Sequence, residues 1–217
     1  MPPAAEFELP RLDREKPLLI VDVDEVLGLF MQGFGAFVAQ RGFELRLERF
    51  ALFQNLYRPG ALEPLDLDTG RDLFNEFFRH GSEEMAPTPH ACDSLSALSA
   101  HASIVILTNA PDHAREPRIR WLARHGMDYP LLINAGPKGS MVAALAACTF
   151  APCAFVDDLI PNLDSAAELA PAVRRFQLVA DPRLALLAPS APERHARIDD
   201  WPTLRLALAR ALGVELK

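Results

Sequence analysis

Residues 18–28 read Leu-Leu-Ile-Val-Asp-Val-Asp-Glu-Val-Leu-Gly, and the fold turns on how this stretch is read. Four aliphatic residues in a row suit a strand buried on both faces, as in a parallel sheet covered by helices. Asp22 and Asp24 follow at once, and alternation along an emerging chain sends both side chains to the same side. Ligands of open α/β sheets bind beyond the carboxyl ends of the strands, so the pair stands where a site is expected. Alone, Asp-x-Asp after a strand is ambiguous: glycosyltransferases hold a metal and a nucleotide diphosphate with such a pair, and a solvated loop can carry one.

The pattern recurs outward from this strand. Leu18–Val23, Ser103–Leu107, Leu131–Asn134, Cys153–Val156 and Arg175–Ala180 read as strands. Ala91–Ala100, Asp112–His125, Ser140–Ala147 and Leu163–Leu169 read as the helices between them, with lengths that fit right-handed crossovers. Asp181-Pro182 onward reads as a loop, and Trp201–Leu212 as a terminal helix closing the core. The fold class is α/β, a Rossmann-like parallel sheet with helices on both faces. Leu29 to Met85 is too long for one crossover, and it predicts a small helical cap over 29–85 inserted into a core of 1–28 and 86–217. Nine of the thirteen phenylalanines fall in that span, with Phe30, Phe34 and Phe37 at one helical spacing and Phe74, Phe77 and Phe78 in a second cluster. Such stripes form a cap's own core, or place one or two rings where a substrate ring can stack.

Composition narrows the function. A chain of 217 residues has room for one domain with a modest insertion. A net charge of -7 argues against a nucleic-acid polymer or an anionic membrane surface as partner. The longest apolar runs are strand-sized, well short of the roughly 20 residues that span a bilayer. The first sixteen residues lack a basic segment followed by a long apolar one, and the three cysteines, Cys92, Cys148 and Cys153, form no Cys-x-x-Cys. A cytoplasmic protein is the expectation. The six histidines show no metal-ligand spacing.

A second apolar strand, in Phe155-Val156-Asp157-Asp158-Leu159-Ile160-Pro161-Asn162, also runs straight into carboxylates. Two ionised acids about 5 Å apart repel by about 3 kcal/mol at an effective dielectric of roughly 20, so four at one sheet edge call for a cation. All-oxygen donors favour a hard ion, Mg²⁺ in particular. Thr108 and Asn109 end a third strand, where a hydroxyl and an amide can meet a phosphoryl oxygen. Lys138 opens a helix in a chain with nineteen arginines and only three lysines, the others being Lys16 and Lys217. Its ammonium and the helix N-terminus can face one anion.

In this order, DVDEVL, LTN, Lys138 and FVDD, the chain resembles the four signature motifs of the haloacid dehalogenase-like hydrolase superfamily, phosphatase type. The resemblance implies that Asp22 is the nucleophile and Asp24 the general acid/base, that Thr108, Asn109 and Lys138 bind the substrate's phosphoryl group, and that Lys138 neutralises charge. It implies Mg²⁺ held by Asp22, the backbone carbonyl of Asp24, Asp158 and Asp157, with either of the last two as direct ligand. Glu25 departs from the glycine common after the second Asp, and Pro137 precedes Lys138 where many relatives place proline after it. About 30 residues separate Thr108 from Lys138, too few for a second large cap, which leaves specificity to 29–85.

The implied activity is Mg²⁺-dependent hydrolysis of a small phosphorylated metabolite through an aspartyl phosphate. Likeness to the 5'(3')-deoxyribonucleotidase branch, through DVDEVLGLF, TNAP and the Arg118/Arg120/Trp121 helix, makes a nucleotidase the alternative. A different class of answer is a non-catalytic phosphate-binding or interaction protein on the same fold. Oligomeric state is not encoded in any of these features.

Overall fold

The structure, a computed structural model, describes residues 9–216, so the extreme N-terminal residues read above and Lys217 lie outside it. Its elements run β1 Leu18–Val21, α1 Phe30–Ala39, β2 Glu44–Leu45, β3 Leu56–Tyr57, α2 Leu67–His80, α3 Ala91–Ser99, β4 Ser103–Asn109 and α4 Arg115–Arg124. Then come β5 Leu131–Asn134, α5 Gly139–Ala146, β6 Cys153–Asp157, α6 Ile160–Leu169, β7 Arg174–Gln177, α7 Pro182–Ala185, β8 Ala196–Arg197 and α8 Trp201–Leu212. Six strands form one sheet in the order β5-β4-β1-β6-β7-β8, every neighbouring pair parallel.

The apolar run of β1 is central because both its faces are covered. Leu19 and Val21 pack into the core that includes Trp121, Trp201 and Leu208, whereas Leu18 and Ile20 pack on the other face with Met141, Leu145 and Leu163. All four β1 side chains are fully buried, each contributing about 1.5–3 kcal/mol of transfer free energy. Register then does the positioning. Val21 pairs with Ile106 on one side and Val156 on the other, so Asp22, Thr108 and Asp157 emerge together at the carboxyl edge.

Elements differ from the sequence reading where local chemistry departs from the hydrophobic pattern. The strand β7 ends at Gln177, not Ala180: the Leu178 N–H still reaches Asp157 O of β6, but the next two amides bond elsewhere, Val179 N–H to Asp199 Oδ1 and Ala180 N–H to Glu25 O. Helix α6 starts at Ile160 rather than Leu163, with Pro161 in the first turn where its missing N–H costs nothing. The region after Asp181 holds the short α7 and β8 besides loop, Asp181 capping α7 through the Arg183 N–H. The inserted span is not purely helical. Between α1 and α2 it carries the antiparallel β2-β3 hairpin, two residues per strand and too short to show a period in sequence.

Rings on α1 and α2 interlock: Phe30, Phe34 and Phe37 each lie 5.4 Å from Phe77, and Phe74 lies 4.8 Å from Phe78. No helix among the described residues is long and apolar enough to cross a membrane.

Candidate active site

Three strand ends and one helix start supply the side chains. Lys138, the residue before α5, is fully buried, with Nζ 2.7 Å from Asp22 Oδ1 and 2.7 Å from Asp157 Oδ2. Only Asp157 of the two accepts a well-aligned hydrogen bond from it. Gly139 explains the displaced proline. A Cβ there would collide with the Ser165 backbone, and the Gly139 N–H donates to Ser165 Oγ at 3.1 Å. Close approach of α5 to α6 sets Lys138 under the acids and leaves no room for a ring after it.

Asp22, Asp157 and Asp158 each offer an oxygen within 4.8 Å of the others. Three carboxylates and one ammonium leave two negative charges in a buried space. Burial foremost, then the neighbouring acids Asp157, Asp22 and Glu25, push Asp158 well above the usual carboxylate range. Burial also raises Asp157, against the pull of Lys138, and Asp157 and Asp22 in turn raise Lys138 although burial alone would lower it. A divalent cation fits this donor set: oxygen only, closely spaced and short of positive charge.

The structure separates the two acids of the second pair. Asp157 is committed, Oδ2 to Lys138 and Oδ1 accepting from the Leu159 N–H and Asn162 Nδ2, each at 2.9 Å. The Asp158 carboxylate accepts no hydrogen bond among the described residues, which leaves it the freer ligand. The Asp24 side chain stands outside the acid trio and pairs with Arg118 of α4. Only its backbone carbonyl remains for the ion, and that carbonyl accepts no hydrogen bond among the described residues.

Thr108 is fully buried, and its Oγ1 has no hydrogen-bond partner among the described residues. Asn109 is half-committed to structure, Nδ2 donating to Gly136 O at 2.9 Å and Oδ1 accepting from Asn134 Nδ2 at 2.7 Å. Asn109 lines the cavity and Thr108 does not.

Glu25 and Arg118 gain roles that the sequence reading did not give them. Glu25 has φ 58°, the left-handed conformation that glycine adopts most readily. Its carboxylate compensates: Oε1 accepts from the Met31 N–H at 2.7 Å and Oε2 from the Asp181 N–H at 3.0 Å. One side chain thus caps α1 and ties the loop after β1 to the loop before α7. Burial holds the Glu25 carboxyl at about 7, above its ordinary 4.5, against those two donors. Arg118 lies fully buried 4.9 Å over the Phe78 ring, and Arg118 opposes burial in setting the Asp24 carboxyl, which burial raises.

These groups open onto a cavity of about 240 Å³ lined by Asp22, Asp24, Lys138 and Asp158 at one end and by residues of 29–85 at the other.

No protein-family profile and no curated protein matches the chain by sequence. Solved structures do match. A haloacid dehalogenase-like family hydrolase from Streptococcus pneumoniae shares 15% identity over 90% of this chain and 98% of its own, with a TM-score of 0.59. This is the haloacid dehalogenase-like fold. An L-2-haloacid dehalogenase with the fold shares 13% identity over 89% of this chain and all of its own, TM-score 0.57. A Bacillus subtilis protein of this kind, bound to magnesium, shares 14% identity over 90% of this chain and 99% of its own, TM-score 0.50.

In this haloacid dehalogenase-like fold the buried acids imply a pH effect. Glu25, Asp157 and Asp158 all have folded-state pKa values raised above their unfolded ones. The folded state then binds more protons at these acids, so their contribution to metal-free stability falls as pH rises from about 4 to about 7, by about 3 kcal/mol for Glu25 alone; His125 and the acids Asp66, Glu76, Glu83 and Asp181, all shifted down by less, oppose it in part. Denaturant melts of chelator-treated protein should show this loss, and added Mg²⁺ should flatten the part due to Asp157 and Asp158. A metal-free profile that is flat or rises over that window contradicts the electrostatics described here.

Proposed function

We propose that the protein is a Mg²⁺-dependent phosphohydrolase that cleaves a small phosphorylated metabolite through an aspartyl phosphate on Asp22. The observation that carries this reading is the convergence of Asp22, Lys138 and Asp158 on one cavity, with Asp24 beside them. Asp22, Asp158, Asp157 and the Asp24 carbonyl would hold the ion. When bound, Mg²⁺ offsets the charge of the acids and of the phosphate and orients the phosphoryl oxygens.

Asp22 Oδ1 lies against Lys138, while Oδ2 accepts no hydrogen bond among the described residues and is the oxygen left to attack. It forms a bond to phosphorus as the ester P–O bond breaks, and the departing alkoxide takes a proton from Asp24. Burial favours the protonated form of Asp24 that this step needs. Asp24 then accepts a proton from water, the hydroxide attacks phosphorus, and inorganic phosphate leaves with Asp22 restored.

The solved structures with this fold include a dehalogenase, so fold likeness does not select the chemistry. Asp24 favours ester cleavage, because an alkoxide gains from protonation whereas a halide leaves without a proton.

Release of phosphate from p-nitrophenyl phosphate should require Mg²⁺ and stop with chelator, and 2-chloropropionate should yield no chloride. Nitrophenolate departs without a proton, so Asp24→Asn should give a burst approaching one nitrophenolate per enzyme. Steady-state turnover should then be lower by about 10²–10⁴-fold, with phosphate binding retained. Unchanged steady-state turnover contradicts the role given to Asp24.

A further inference from the structure

The cavity wall facing the acids is made by Phe30, Met31, Phe50, Ala51, Leu52 and Phe74, none with a polar side chain. The core side adds Leu159 and Leu184. Every polar side chain in the lining belongs to the acid end, and most are already engaged. Asn109 bonds Gly136 and Asn134, Asn162 bonds Asp157, and Glu25 bonds two backbone amides. Lys138, the single cation in that lining, sits between Asp22 and Asp157. Sugar hydroxyls would lose their water there without replacement, and a second anionic group would meet Asp24 and Asp158 with no countercharge.

Phe43 and Phe50 stand apart from the other rings, and of the two only Phe50 lines this cavity. Seven phenylalanines of 29–85 interlock with one another, whereas Phe50 makes no ring contact among the described residues and is half-buried at the cavity. Its loop is held from beneath. Asn55, fully buried, donates to Arg49 O at 2.8 Å and Ala51 O at 2.6 Å, and its Oδ1 accepts from the Glu48 N–H at 3.3 Å. The ring packs on the main core cluster yet stays half-buried at the cavity on a clamped loop, which makes it a preformed contact for a ligand. Benzene fits an apolar cavity of about 150 Å³, so the volume here admits one ring beside a phosphoryl group.

We propose that the substrate is a phosphate monoester of an apolar, uncharged alcohol or phenol of about one ring in size, seated on Phe50 with Phe74. This rests on the phosphohydrolase reading of the same site.

The test compares 2-phenylethyl phosphate with glycerol 3-phosphate, 2-phosphoglycolate and thymidine 5'-monophosphate in Mg²⁺. All four are alkyl esters, so leaving-group strength does not decide the order. The ring ester should have the highest kcat/KM by at least about tenfold. Phe50→Ala should raise its KM by about tenfold, the loss falling on KM rather than kcat, and Phe50→Leu should recover part of it. A polar or doubly charged ester turned over as well as the ring ester overturns the proposal and leaves the phosphohydrolase reading standing.

If no ester is hydrolysed, that reading fails, and binding of 2-phenylethylphosphonate against 3,4-dihydroxybutylphosphonate in Mg²⁺, by calorimetry, decides the proposal about the cavity. Preference for the ring by about tenfold or more supports it, and equal binding overturns it.

Discussion

Replacing Asp22 by Asn is expected to lower Mg²⁺-dependent phosphate release on the order of 10⁴-fold or more, with the fold intact. An amide oxygen does not accept a phosphoryl group as a carboxylate does, so the loss should fall on kcat. Asn also removes one of three closely set carboxylates, which weakens the ion site. The same change should spare stability. Asp22, Asp157 and Asp158 crowd around the single ammonium of Lys138 in the metal-free protein, and the substitution removes one acid while Lys138 keeps Asp157. Circular dichroism melts of the metal-free variant should therefore match or exceed the wild type. Activity within about tenfold of wild type would place the nucleophile elsewhere.

Lys138→Met carries the second large effect, and here stability moves with activity. Removing a fully buried ammonium leaves Asp157 and Asp22 without their countercharge, a change that costs about 3–5 kcal/mol in comparable buried pairs. In a chain of this length that corresponds to a fall of roughly 10 °C in Tm. The sign of the pH dependence is fixed by Asp157, whose raised folded-state pKa should rise further without Lys138. Near about pH 5 the protonated acid needs no partner, so the deficit relative to wild type should shrink there and widen near about pH 7.5. Urea melts at both pH values check this. Equal stability of variant and wild type at the higher pH would mean that Lys138 does not hold the acids together.

How much of this was legible in the sequence depends on which interaction carries each feature. Runs such as Leu18–Val21 and Ile104–Leu107 announce buried strands because burial on both faces leaves no polar position. Once those strands lie parallel and adjacent, register alone brings Asp22, Thr108 and Asp157 to one edge, so the acid pairs and Lys138 could be picked out in advance. The structure sets Asp158 within reach of Asp22, which the sequence argument required.

What escaped the reading depends on single contacts. Glu25 looked like a departure from a glycine, yet its carboxylate caps Met31, six residues on, and Asp181, far along the chain. Its position after Asp24, where left-handed backbone is needed, was the available signal. Arg118 reaches Asp24 across 94 positions, a pairing that no local pattern encodes. Phe43, Phe50 and Phe53 all lack the helical spacing of the other cap rings, so spacing alone does not mark Phe50 as the one that lines the cavity. The β2-β3 hairpin and β8 have two residues per strand, too few for alternation to appear.

An aspartyl phosphate on Asp22 can be trapped by acid quench of the enzyme during turnover of a phosphate monoester in Mg²⁺ and located by peptide mass spectrometry. One added phosphoryl group is expected on Asp22, chased away by further turnover and missing from Asp22→Asn. Turnover with the label on another residue, or a label that persists in Asp22→Asn, would contradict this expectation.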